Sequence, residues 1–156
     1  MAARERLEKY LREEGVPFET MSHPVAYTAQ EVAAAQHTPG RQLAKVVLAD
    51  ADGELVMVVL PASYRIDFPK LKSALKAGKV RLAKEEEFAG TFTDCEVGAM
   101  PPFGNLYGLR VFVDESLAKV REMIFKAGSH NTSVKMKYAD YERLAKPKIV
   151  DLAVHL

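Results

Sequence analysis

Apolar and polar positions along this chain recur with two different periods, and the changes between them mark out its elements. From about Ala3 to Glu14, Leu7, Tyr10 and Leu11 fall on one face at helical spacing, and Gly15 ends the run. Val16 to Thr20 reads as a short strand. Thr28-Ala29-Gln30-Glu31 has capping-box spacing, which predicts a helix to about Gln36, broken by His37-Thr38-Pro39-Gly40. Gln42 to Ala49 and Glu54 to Leu60 are apolar and β-branched, and Asp50-Ala51-Asp52-Gly53 between them signals a hairpin. Leu55 to Leu60 is apolar on both faces and belongs in the middle of a sheet.

Further on, Asp67 caps a helix expected to reach about Ala77, with Gly78 ending it. Lys79 to Leu82 is a short strand, and a small acidic helix spans Lys84 to Phe88. Arg110 to Val113 is a strand, followed by a short helical turn beginning at Asp114. Val120 to Phe125 and Thr132 to Met136 are strands on either side of the loop Lys126 to Asn131. A helix over Tyr138 to Leu144 stops before Pro147, and Ile149 to Val154 is a final strand. Helices and strands mix without strict alternation, so the expected class is α+β with a mixed sheet.

Composition narrows this picture without redirecting it. The chain has 156 residues, which suits one domain over residues 1–156, and its 48% apolar and 28% charged shares are those of a globular protein. The net charge of +1 gives no general affinity for polyanions, so a nucleic-acid partner needs a local patch. The single cysteine, Cys95, makes an intrachain disulfide impossible and suits a cytoplasmic setting. The first residues lack the apolar core of a signal peptide, and no apolar run reaches membrane-spanning length.

Two places break the patterning and invite chemistry. Gly98-Ala99-Met100-Pro101-Pro102-Phe103-Gly104 is apolar, yet its prolines suit neither a helix nor a central strand. It reads either as a rigid connection that packs Phe103 into the core, or as a stiff loop whose Gly98, Ala99 and Met100 N–H groups bind a carbonyl or oxyanion. Lys45 interrupts Leu43-Ala44-Lys45-Val46-Val47-Leu48 on the same face as Leu43 and Val47. If that face is covered, the ammonium needs an anionic or carbonyl partner; otherwise it is a solvated or snorkelling strand lysine.

The remaining candidates are weaker. His23, His37, His130 and His155 form no metal-ligand spacing, so neither a metal site nor a cofactor is expected. His130 stands out because its Gly-Ser-His-Asn loop is polar and lies beside strands. Cys95 could act as a nucleophile only with a base that the sequence does not identify, and a lone cysteine also serves as a small packing residue. Lys70, Lys72, Lys76 and Lys79 read as a solvated face that could also touch a phosphate backbone.

Taken together, Lys45, Gly98–Pro102 and Gly128-Ser129-His130 resemble the YbaK/prolyl-tRNA synthetase-associated family of free-standing editing domains. The likeness extends through Leu60-Pro61-Ala62, Ile66-Asp67, Val113-Asp114-Glu115-Ser116-Leu117 and Ala127 to Thr132. The resemblance implies a mixed, partly closed, twisted sheet flanked by helices. It also implies a trans-editing aminoacyl-tRNA deacylase that removes a small amino acid from the 3′ end of mischarged tRNA, with tRNA specific for proline as its carrier. Prolyl-tRNA synthetase is a candidate partner, and neither DNA nor a membrane is expected as one. On this likeness Lys45, Gly98 and His130 are catalytic, and Ala99, Met100, Pro101, Pro102, Gly128 and Ser129 bind substrate. The alternative is a non-catalytic module of the same fold that binds aminoacyl-adenosine or a tRNA end. Val46 stands where the synthetase insertion domain carries asparagine. Met21 and Ser133 stand where the cysteine-specific branch carries tyrosine and aspartate. The likeness therefore assigns a class of reaction but not the amino acid.

Overall fold

The computed structural model describes residues 2–23 and 39–156. The expected helix to Gln36, and His37 after it, lie outside the described residues. In chain order the elements are α1 (Ala3–Glu13), β1 (Phe18–Ser22), β2 (Ala44–Ala51), β3 (Glu54–Pro61), β4 (Tyr64–Ile66), α2 (Phe68–Leu75) and β5 (Val80–Leu82). Then follow α3 (Glu85–Phe88), β6 (Val111–Asp114), β7 (Glu122–Lys126), β8 (Thr132–Lys137), α4 (Tyr138–Ala145), β9 (Lys148–Val150) and β10 (Ala153–His155).

Three sheets result. The largest has the order β5-β2-β3-β6-β9, with β2 antiparallel to β3 and β5, and β6 parallel to β3 and β9. A second has the order β1-β8-β7, antiparallel throughout. The third pairs β4 with β10. The first two sheets meet where Leu43 bridges Ile124 in parallel and the Ile124 N–H donates to Gln42 O at 2.9 Å. They close part of the way round without forming a barrel.

Strand β3 is central, as its two-faced apolarity predicts. Met57 and Val59 enter a core with Leu7, Leu11, Phe103, Phe125 and Tyr141. Val56, Val58 and Leu60 enter a second core with Leu71, Phe112 and Leu152. The β2–β3 turn takes the two-residue form, because Asp52 and Gly53 both adopt positive φ, 51° and 89°. The Asp52 carboxylate then accepts the Gly78 and Lys79 N–H groups at 2.9 and 2.8 Å, tying the start of β5 to the hairpin.

Three expectations need correction. Helix α2 is capped by Asp67, whose Oδ1 accepts the Lys70 N–H at 3.1 Å, but it ends at Leu75. Lys76, not Gly78, supplies the left-handed cap, with φ 53°. Asp114 closes β6, and the expected short helical turn begins three residues later, as a 3-10 turn over Leu117–Lys119. Asp114 is buried, takes the Leu152 N–H at 2.9 Å and the Ser116 N–H at 3.0 Å, and also accepts the Ser116 hydroxyl. That anchor at Leu152 breaks the final apolar run into β9 and β10, which join different sheets.

Candidate functional site

The proline loop is fixed from both sides. Phe103 is fully buried among Tyr10, Phe125 and Tyr141, with ring centroids 6.0, 5.8 and 5.1 Å away. The Tyr141 hydroxyl donates to Pro102 O at 2.7 Å. Pro101, Pro102 and Met100 are buried, and Met100 borders a cavity of about 180 Å³ shared with Phe88, Phe92 and Cys95. The structural reading of this loop therefore holds. It does not use up the loop, because Phe125 alternates with Ile124 and Lys126 along β7, so Phe103 packs on the opposite face of that strand from Lys126.

Of the three expected donors, one is already engaged. The Ala99 N–H donates to Glu96 O at 3.0 Å, and Ala99 O takes the Gly128 N–H at 2.8 Å. Ala99 is thus a rivet between two loops. Gly98 is exposed with φ 81°, and neither its N–H nor that of Met100 has a hydrogen-bond partner among the described residues. A built Cβ on Gly98 would lie 3.5 Å from His130 Cε1, so the glycine sits directly against the imidazole.

His130 is buried, and both ring nitrogens are in use. Lys126 Nζ lies 2.9 Å from Nδ1, and Val97 O lies 2.7 Å from Nε2. A lysine ammonium only donates, so Nδ1 accepts and the ring proton is assigned to Nε2, which donates to Val97 O. The His130 N–H reaches Glu96 Oε2 at 3.2 Å, and the Glu96 N–H donates to Gly128 O at 2.8 Å. This geometry makes His130 a strut that holds Val97-Gly98 in place, with no ring nitrogen left over as a base. Gly128 is a packing glycine: at φ 94°, an added Cβ would come within 2.5 Å of Ala3 Cβ. Ser129 Oγ donates within its own loop, to Asn131 Oδ1 at 2.8 Å.

Lys45 lies on β2 opposite Leu60, and it is half-buried. Among the described residues its ammonium has no hydrogen-bond or ion-pair partner. Burial lowers its pKa from the usual 10.5. Lys45 and Lys126 each stand two residues beyond the Leu43–Ile124 bridge, so strand alternation sends both to the side that Leu43 and Ile124 occupy with Met21 and Ala62. The register across the smaller sheet puts Met21, Ser133 and Lys126 in one row. His23 Nε2 lies 2.9 Å from the buried Ser133 Oγ. Sequence reasoning passed over Lys126, Glu96 and the His23–Ser133 contact. Only the shared parity of Ile124 and Lys126 hinted at the first.

Cys95 is no nucleophile in this setting. Burial pushes its thiol up to about 11, and its Sγ lies 3.5 Å from Asp94 Oδ1 and 3.4 Å from the Tyr107 hydroxyl. No group of three His, Cys, Asp or Glu side chains among the described residues is arranged to hold a metal ion. No helix among them is long and apolar enough to cross a membrane.

Residues 23–144 match the model of the aminoacyl-tRNA editing domain. The chain is 30% identical over 152 residues to the Escherichia coli (strain K12) multifunctional Ser/Thr-tRNA deacylase ProXp-y, covering 94% of this chain and 90% of that protein. It is also 30% identical over 125 residues to the proline–tRNA ligase of Lysinibacillus sphaericus (strain C3-41), covering 80% of this chain and 22% of the ligase. The crystal structure of a candidate trans-editing enzyme for prolyl-tRNA synthetase shares the fold with a TM-score of 0.85, at 20% identity over 99% of this chain and 98% of that one.

Proposed function

Since the chain belongs to the aminoacyl-tRNA editing domain family, we propose that it is a free-standing aminoacyl-tRNA deacylase. Its substrate is the ester that joins serine or threonine to the terminal adenosine of a mischarged tRNA. The carrier is tRNA specific for proline, and prolyl-tRNA synthetase is the protein whose errors it clears. The observation that carries this reading is the Lys45 ammonium, half-buried and without a partner among the described residues, on a strand whose other side chains are apolar except Asp50. A cation in that position is stabilised by an anion or carbonyl brought from outside.

The reaction is ester hydrolysis. A water oxygen attacks the ester carbonyl carbon, negative charge gathers on the carbonyl oxygen, and the bond to the ribose oxygen breaks as that oxygen takes a proton. Donors fixed before the reaction stabilise the oxyanion at little reorganisation cost. Lys45 holds the terminal phosphate or the ester carbonyl. The Gly98 N–H, kept in place by His130 and the buried prolines, faces the aminoacyl end. Ser129 and the His23–Ser133 contact border the same region. Because Lys126 and Val97 occupy the ring of His130, that residue positions the loop and does not abstract a proton. Steric exclusion of larger side chains supplies selectivity, since one methylene is worth only about 1–3 kcal/mol in the other direction.

A panel of seryl-, threonyl-, alanyl- and cysteinyl-tRNA incubated with wild type and Lys45→Ala tests the reading. Hydrolysis of the seryl and threonyl esters by wild type, abolished by the substitution, is expected. Release at the buffer rate for every substrate would overturn it and leave the binding-module alternative.

A further inference from the structure

Three exposed cations ring a groove that the reaction does not use. Arg41, Lys119 and Arg121 line a cleft of about 440 Å³ together with Gln42, Tyr64 and Ser116. Among the described residues no carboxylate lines it, and none of the three cations has an ion pair. Other cations, such as Lys72, Lys76 and Lys79, also lack an ion pair among the described residues; what marks the groove is that three such cations line one cleft. The groove also has a fixed relation to the site. Arg41 precedes Lys45 by four residues, and Arg121 precedes Lys126 by five, on the two segments that Leu43 and Ile124 bridge. Four residues of chain span at most about 14 Å, so the Cα of Arg41 lies within that distance of the Cα of Lys45.

We propose that this groove is the docking surface for the phosphate backbone of the tRNA acceptor end, next to the terminal adenosine held at Lys45. The inference rests on the deacylase reading and adds to it where the rest of the tRNA lies. Clustered Arg and Lys without competing acids supply the sequence-independent part of nucleic-acid affinity, and Gln42 and Tyr64 add polar contacts to sugar and phosphate. A chain of net charge +1 has no global field to draw in RNA, so such a local cluster is what the substrate requires. The groove takes over the role the sequence had offered to Lys70, Lys72, Lys76 and Lys79. Of these, Lys70 is paired with Asp151 at 3.1 Å.

The test compares two substrates and two triple variants. The first variant is Arg41→Gln/Lys119→Gln/Arg121→Gln. The second, Lys72→Gln/Lys76→Gln/Lys79→Gln, removes as much charge outside the groove. On full-length seryl-tRNA the groove variant is expected to lose at least tenfold in kcat/KM at low salt. On a seryl ester of a short oligonucleotide ending in CCA it should stay within twofold of wild type. The log–log salt slope for binding uncharged tRNA should flatten by roughly 2–3, at about 0.7–0.9 per phosphate contact. The second variant should match wild type throughout. Equal losses on both substrates, equal losses from both variants, or full activity of the groove variant on tRNA would each overturn the proposal. If wild type hydrolyses neither ester, the deacylase reading fails, and the uncharged-tRNA slopes alone decide the groove.

Discussion

The two ends of β2 treat charge in opposite ways. At the hairpin end, Arg81 reaches Glu87 through two contacts of 2.7 Å and Asp50 at 3.5 Å, and Arg110 grips Glu54 at 2.8 Å with two nitrogens. Apart from the half-buried Asp50, these groups are exposed, where an ion pair contributes little. At the other end Lys45 is half-buried, where a partner would matter more, and it has none among the described residues. Satisfied charge thus sits where it is cheap, and the unsatisfied ammonium sits where a ligand's phosphate or carbonyl would gain most from meeting it. Sites that trade stability for function show this arrangement.

The strongest way to break the contrast is Lys45→Met. Deacylation of seryl-tRNA should fall at least 100-fold in kcat/KM, about 2.7 kcal/mol of transition-state stabilisation. The melting temperature should rise by about 1–3 °C, because a poorly solvated ammonium leaves an apolar site. The sign with pH follows from the lowered pKa. The cost of holding the ammonium is present below the folded-state pKa and disappears as pH rises through it towards 10.5, so wild type gains stability in alkali and the variant does not. A variant that lost stability would make Lys45 a structural residue like Arg81.

Gly128→Ala should lower the melting temperature by about 4–8 °C, near 2 kcal/mol, because the added methyl meets Ala3 and the backbone holds φ 94°. Differential scanning calorimetry reads it. For His130, replacement by Ala should reduce kcat about tenfold with little change in KM, and replacement by Gln, which keeps a donor and an acceptor, should recover part of the loss. An alanine variant whose pH–rate profile lost a limb would instead make His130 a base.

The smallest effect belongs to the paired end. Arg81→Gln should leave deacylation unchanged and move the melting temperature by less than about 1 °C. Its visible result is local. The Arg81 side chain, with the Lys84 N–H, holds the Glu87 carboxyl at about 2, down from 4.5. The stability this pair supplies is present above 4.5 and is lost as pH falls towards about 2. In the variant, a carboxyl titration followed by NMR should return most of the way to 4.5.

Local signals made most of the scaffold legible. Asp52-Gly53 specified the turn, the two-faced apolar run placed β3 at the centre, and Asp67 capped α2. Pairings set by distant residues were not legible. The carboxylate of Asp114 cuts the last apolar run at Leu152, and β4 exists because β10 pairs with it. At the site, the family likeness picked out Lys45, the proline loop and His130. It could not show that Ala99 spends its N–H on Glu96, or that Lys126 sets the tautomer of His130. Both facts depend on which atoms meet across two loops, and no periodicity encodes that.

The contact between Gly128 and Ala3 also bears on how the molecule assembles. The Ala3 N–H bonds to Asp94 O, and Arg6 bonds to Leu106 O, 100 residues away. Helix α1 therefore has no complete seat until the chain through Gly128 exists, and closing such long loops is slow. During synthesis helix α1 must wait for a hairpin made much later. The two loops around Gly98 and His130 reach their working shape only when it docks, so competence to react with tRNA is among the last properties the folding chain acquires.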